Sequence, residues 1–443
     1  MKILFVTPEF EEKGRGIGFI LKNMIAAAKA DGHEVGILVG YPDKSFKKST
    51  LLDEKIEHLY LQHYIRDGRE SFKYTVPGGL RSRRNLAKIL AGRSYLKSHY
   101  MDIKREYFSD NPGLLKNVDF SIKIPYCYQF ILQGVPTVPY RVLHKAIRKH
   151  KVDLVITASP MDLDRKWVKP AKIAQFVHDV MPLELLETPP DNDTPRKYAH
   201  QIYTAAKQAD LVMTNSEDTA SKVREINPKA NIHVVYGSVS SKASELAESA
   251  VLHRNGLQDG KYLLFISVLE KRKNLENLFD AYSMVLPEIK MPLVLVGSTG
   301  FGFEDIYNSY QSLDDSVKKN IIFTGYVSEA DKYTLLNHAN SLVWPSVYEG
   351  IGLPIIEALA SNLPVLTSNR GALPEAGGKA ALYVENPYDV HEIADKIKQI
   401  AQNDKLRTEL KSHAAEQVAK FTVEKFSERV SKALASLNHK KGK

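Results

Sequence analysis

The sequence predicts an α/β protein built from two doubly wound parallel-sheet domains that face each other across a cleft. Three observations carry this. Short apolar runs recur along the 443 residues, separated by helix-length amphipathic stretches. The runs are bounded by turn residues and lack clean alternation, which marks strands buried on both faces, as in parallel sheets. A chain of this length also exceeds what one hydrophobic core usually supports, and the strand–helix rhythm divides into two series.

The first series of strands reads KILFVT, HEVGILVG, VDLVITA, KIAQFV, LVMTNS and IHVVYG. The second reads YLLFIS, PLVLVGS, IIFTGY, SLVWPS, PVLTSN and ALYVE. The polar stretch from Ser238 to Asp259 interrupts the rhythm and reads as a linker. The expected organisation is an N-terminal domain over 1–240 with a basic insertion at 50–140, and a linker over 241–260. A C-terminal domain over 261–425 follows, then a helix end and basic tail over 426–443. Ligands of open α/β sheets bind beyond the carboxyl ends of the strands, so residues just after strands are the first candidates.

Composition narrows the functional classes. The hydrophobic content of 43% is that of an ordinary globular protein. One cysteine, Cys127, excludes an internal disulfide framework and a multi-cysteine metal site, and fits a reducing compartment. No apolar run approaches the ~18 residues that span a bilayer. The start, MKILFVTPEFEE, is apolar too briefly for a signal peptide, so a cytoplasmic protein is expected. The net charge of +9 is local: 16 Lys/Arg face four acids between Ser71 and Lys151, leaving 45 against 48 elsewhere.

Within that basic segment, RSRRNLAKILAGRSYLKSH can divide into a cationic face and an apolar one. Residues 81–105 could therefore lie on an anionic membrane surface, each cation adding ~1 kcal/mol. A solvated helix face explains the pattern about as well. No nucleic-acid module accompanies the patch, so a nucleic-acid partner is not expected.

Four motifs follow strands. In YEGIGLPIIEAL, Pro354 suits the first turn of a helix, so PIIEALAS is a helix and VYEGIGL a loop. Glu349 then precedes the helix and Glu357 sits in its first turn. Gly350, Gly352 and the N–H groups at the helix start form an anion site. Glu357 could equally be a carboxylate complementing the helix dipole. In SVLEKRKNL, Lys271, Arg272 and Lys273 crowd a strand end, where cations at a helix start run against the dipole and suit a phosphate partner. In EEKGRGIGFILKNM, Gly14 and Gly16 begin a dinucleotide fingerprint that fails at Phe19, leaving a glycine loop. In QFVHDVMPLE, His178 and Asp179 end a strand, and a histidine there can donate to a hydroxyl or a developing oxyanion. No Asp-x-Asp or His/Cys cluster suggests a metal.

Taken together and in this order, these motifs, with ADLVMTNSEDT and the stretch PSVYEGIGLPIIEALASNLPVLTSNRGALPEAGGKAALYVENPYDVHEIA, closely resemble those of glycosyltransferase family 4, which has the GT-B fold. The likeness spans residues 1–20 and about 152–425; the segment from 50 to 140 resembles nothing identifiable. It implies retaining transfer of a sugar from a nucleotide-sugar donor, with no metal or other cofactor required. Glu357 would hold the ribose hydroxyls and Glu349 would sit at the donor sugar. Lys273 and Arg272 would neutralise the diphosphate, with the amides around Ile351, Gly352 and Leu353 completing the anion site. Gly16, Ile17 and Gly18 would face that site from the other domain, His178 would contact the sugar, and Val327, after IIFTGY, would join the nucleotide side.

One departure stands out. Many members carry G-R-L two residues before the lysine turn, where this chain has Ser267 and Val268. LEKRKN instead is similar to the L-E-P-R-K-N of mannosyl- and other hexosyltransferases, which points to GDP-mannose ahead of UDP- or dTDP-sugars. The acceptor implied is a glycan or lipid-linked saccharide in cell-surface polysaccharide synthesis, at the inner face of the membrane. Attack on the face from which the diphosphate departs would let the leaving phosphate take the acceptor proton. Competing readings are an NAD(P)-dependent oxidoreductase with two Rossmann domains, opposed by Phe19, and a non-catalytic subunit, opposed by the intact Glu349, Lys273 and Glu357.

Overall fold

The computed structural model describes residues 1–6, 16–41, 63–66, 69–72, 101–102, 118–125, 139–184 except 162 and 164, 194–239 and 250–438. The strands, in chain order, are β1 Lys2–Val6, β2 Glu34–Tyr41, β3 His63–Arg66, β4 Arg69–Phe72, β5 Met101–Asp102, β6 Phe120–Pro125, β7 Leu154–Thr157, β8 Lys172–Val177, β9 Leu211–Thr214 and β10 Ile232–Val234. The second series is β11 Leu263–Ile266, β12 Leu293–Val296, β13 Ile321–Gly325, β14 Ser341–Trp344, β15 Val365–Ser368 and β16 Ala381–Val384.

They form two doubly wound sheets. The first runs β10-β9-β8-β7-β1-β2-β6-β5, parallel except where β5 pairs antiparallel to β6. The second runs β13-β12-β11-β14-β15-β16, parallel throughout. Among the described residues β3 and β4 make a separate antiparallel pair. Every apolar run singled out in the sequence is a strand here, and β1, β7, β9, β11, β12, β14 and β15 are buried along nearly their whole length. Burial on both faces explains why their sequences do not alternate. Strands β3 to β6 come from the 50–140 segment, where no strand was expected.

Two local results differ from expectation. Residues 241–249 of the linker lie outside the described residues, but Val251–Arg254 are helical, and Val251 is buried in the second core. The chain also does not finish in the domain it has just built. The helix Val423–Ser436 crosses back and buries Phe426, Val430, Ala433 and Leu434 against Ile20, Leu21 and Met24 of the Gly16–Ala30 helix. The basic stretch 81–105 lies outside the described residues apart from the backbone of Met101–Asp102, as does the tail 439–443.

Candidate active site

The candidate residues gather where β11 and β14, neighbours in the second sheet, both end. After β11 the chain turns through a short 3-10 helix, Lys271–Lys273, and Asn274 closes it at φ 64°. Asn274 is buried and donates through Nδ2 to the carbonyl of Pro345, 3.0 Å away in the loop after β14. This bond ties the two loops together. Lys271 points outward to Asp305, while Lys273 is 4% exposed and lies 4.5 Å above the Trp344 ring.

Between these cations lies Glu349. Its Oε1 accepts from Lys273 Nζ and from Ser346 Oγ at 2.7 Å, and its Oε2 lies 2.6 Å from Arg272 Nη1. Burial alone would raise the carboxyl pKa, but Lys273 and Arg272 overcome it and hold Glu349 below the ordinary range. Burial also disfavours charge on Arg272; Glu349 and Glu270, whose Oε2 is 3.0 Å from Arg272 Nε, reverse this and raise its pKa. The cations expected to face a diphosphate are thus satisfied internally, by the glutamate expected to face the sugar.

Glu357 stands apart from that cluster. The helix begins one residue earlier than expected, at Leu353, with Gly352 in the left-handed region at φ 79° as its N-cap. Glu357 therefore occupies the second turn, not the first, which removes the reading as a dipole complement because the effect fades within one turn. Its Oε1 accepts from Lys332 Nζ at 2.9 Å, and Lys332 also pairs with Glu329. Burial raises the Glu357 pKa, with Lys332 opposing. Lys332 lies on the Glu329–His338 helix, and nothing in its local sequence singled it out. Leu353 and Val327 pack partly buried against the second core; Ile351 is buried within it.

His178 and Asp179 follow β8 and reach this site from the first domain. Gly350 lies so close that a Cβ there would run into the His178 carbonyl oxygen and approach the Asp179 side chain, so glycine is required for the contact. The His178 ring turns away. Its Nε2–H donates to the Ala158 carbonyl at 2.5 Å, and burial lowers its pKa to about 4, so it is neutral at pH 7. Burial raises the pKa of Asp179, with Arg272 and Lys273 opposing and Glu349 reinforcing. Asp179 thus belongs electrostatically to the cluster, although its only sequence signal was its position after β8. Gly16, Ile17 and Gly18 are not a loop; they open the Gly16–Ala30 helix.

Further contacts tie the domains together beside the site. Tyr348 buries its ring among Val177, Val180 and Ile202, and its hydroxyl donates to Asp218 Oδ2 at 2.9 Å. Glu375 reaches across to accept from the backbone N–H of Glu217 (2.7 Å) and Asp218 (2.8 Å), capping the Glu217–Ile226 helix. Among the described residues no three His, Cys, Asp or Glu side chains gather as a metal site, and no helix is long and apolar enough to cross a membrane.

Residues 252–417 match the family model of the glycosyl transferases group 1. That match covers the C-terminal part of the chain, and the two-sheet fold around it is that of GT-B glycosyltransferase structures. It is 30% identical over 255 residues to O-antigen chain mannosyltransferase B of Escherichia coli, covering 56% of this chain and 66% of that one. It is also 30% identical over 265 residues to the serotype-specific mannosyltransferase WbdA of Escherichia coli, but spans only 32% of that relative. Among solved structures, Anabaena HepE in complex with UDP-glucose aligns with a TM-score of 0.62 at 17% identity, over 98% of this chain and 100% of that one. Sucrose-phosphate synthase from Thermosynechococcus elongatus aligns at 0.64 with 16% identity, over 99% of each. The architecture is GT-B.

Proposed function

We propose that the protein is a retaining, metal-independent glycosyltransferase that moves a hexose, mannose in the first instance, from a nucleotide-diphosphate sugar to a glycan or lipid-linked acceptor in cell-surface polysaccharide synthesis. The observation that carries this reading is the buried Lys273–Glu349–Arg272 cluster at a parallel-sheet strand end, with Glu357 close by in sequence on the helix that follows. The mannosyltransferase relatives support the sugar, and the LEKRKN turn agrees with them.

In this reading the donor's diphosphate takes the place of the Glu349 carboxylate on Lys273 and Arg272. Both cations are held in position before the donor arrives, so little reorganisation remains as negative charge grows on the leaving group. Glu349, displaced, turns to the sugar. Glu357 exchanges Lys332 for the ribose hydroxyls, with the N–H groups of Ile351, Gly352 and Leu353 beside the phosphates. His178, neutral and held by Ala158, contributes position through its backbone contact with Gly350 and can meet the sugar only if its ring turns. No dedicated base is needed, because the departing phosphate accepts the acceptor proton on the same face.

The test is a panel of GDP-, UDP- and dTDP-sugars with lipid-linked saccharide acceptors, followed by NMR of the anomeric configuration formed. GDP-mannose turnover with the anomeric configuration retained is expected. Inversion, or no binding of any nucleotide sugar, contradicts the proposal.

A further inference from the structure

At the amino ends of β7, β8 and β9, away from the cleft, the first domain carries a cavity of about 560 Å³ that the sugar-transfer reading does not use. It lies between the Pro139–His150 helix, the Arg165–Val168 helix and the start of β8. Among the described residues five basic side chains line it, His144, Arg148, Arg165, Lys169 and Lys172, against one acid, Asp210. We infer that this cavity is a binding site for a phosphate-type oxyanion, distinct from the donor site.

The partners decide which cations remain available. Asp210 is used on both oxygens: Arg165 pairs with Oδ1, and the backbone N–H of Ile173 donates to Oδ2 at 2.9 Å. Lys172 Nζ donates to the Leu437 carbonyl, where the last helix has returned to this domain. Arg148 and Lys169 have no partner of this kind and are exposed. The mostly cationic lining selects an anion, and the Arg148 guanidinium fork and the Lys169 ammonium can each donate to oxygens of a phosphoryl group.

Two sources share this chemistry: free phosphate or pyrophosphate, and the phosphodiester headgroup of a lipid.

The test compares full-length wild type with the double variant R148Q/K169Q and a charge-matched control, K405Q/K411Q, on the exposed face of the Asp404–Val418 helix. Pyrophosphate titrations are run with the donor site saturated by nucleoside diphosphate, at fixed ionic strength. Sedimentation is measured with phosphatidylglycerol and with phosphatidylcholine vesicles. The site predicts that R148Q/K169Q weakens binding by at least about tenfold, or about 1.4 kcal/mol, while the control and the nucleotide affinity stay unchanged. Loss in the pyrophosphate arm assigns a free anion, and loss only with phosphatidylglycerol assigns a headgroup. If both double variants behave alike in both arms, or wild type binds neither probe, no such site exists.

Discussion

The two glutamates of YEGIGLPIIEAL are eight residues apart, yet the fold places them in opposite electrostatic environments. Glu349 lies between two cations and is held below the ordinary carboxyl range, whereas Glu357 has one lysine and is pushed above it. Glu349 is buried and Glu357 half-buried, yet burial pushes both carboxyls upward, so it does not set the opposite directions. The number of cations around each does. A carboxylate with two cations can stay ionised in a dry site and keep those cations positioned. One with a shared lysine is costly to ionise and gains from hydroxyl donors instead.

The largest break in this comparison is Lys273→Met. It leaves Glu349 buried with one cation and removes a preorganised charge from the leaving group. Turnover should fall by ~10²–10³, and stability by about 3–5 kcal/mol, as for a broken buried pair. Single-turnover kinetics and urea denaturation separate the two; unchanged turnover would remove Lys273 from the site.

A second check concerns the neutral His178 behind Gly350. Its folded pKa of about 4 lies below the unfolded value, so the unfolded chain binds the extra proton first. The stability this group confers is complete above pH 6.5 and is lost as pH falls toward about 4. Wild type should therefore lose about 3 kcal/mol more than H178Q across that window. Parallel pH–stability curves for the two proteins would show that His178 is not held neutral.

Glu357→Gln should weaken nucleoside-diphosphate binding by about 10–100-fold, the equivalent of one charge-assisted hydrogen bond of ~1.5–3 kcal/mol. The ligand-free variant should at the same time melt higher at neutral pH. A raised folded pKa gives stability below the unfolded value that is lost as pH rises, and the substitution removes that loss while Lys332 keeps Glu329. Calorimetry on the same samples reads both signs. Glu349→Gln gives the smallest effect on binding and the opposite one: with the internal anion gone, nucleoside diphosphate should bind a few-fold tighter although turnover drops. Weaker binding would mean Glu349 does not compete with the diphosphate.

The sequence made the central strands legible because parallel strands buried on both faces leave unbroken apolar runs. It did not reveal β6, Phe120–Pro125, whose FSIKIP interleaves serine and lysine with apolar residues at the margin of the sheet. The residue types of the site were legible at the strand ends. Their pairing was not, since Lys273 and Glu349 are 76 residues apart and Lys332 and Glu357 are 25 apart, on different elements. Pro354 signalled the helix but not that Leu353 would precede it, which moved Glu357 by one position, out of the first turn. The glycines at 16 and 18 read as a loop because a helix that opens on glycine has no local propensity to announce it.

The most direct test of the central claim is nucleotide binding followed by calorimetry in wild type and in Glu357→Gln, with GDP-mannose as ligand. The account predicts saturable binding to wild type, about 10–100-fold weaker binding to the variant, and turnover with an acceptor only where binding is retained. Binding that is equal in both proteins, or absent from wild type for every nucleotide sugar tried, would contradict it.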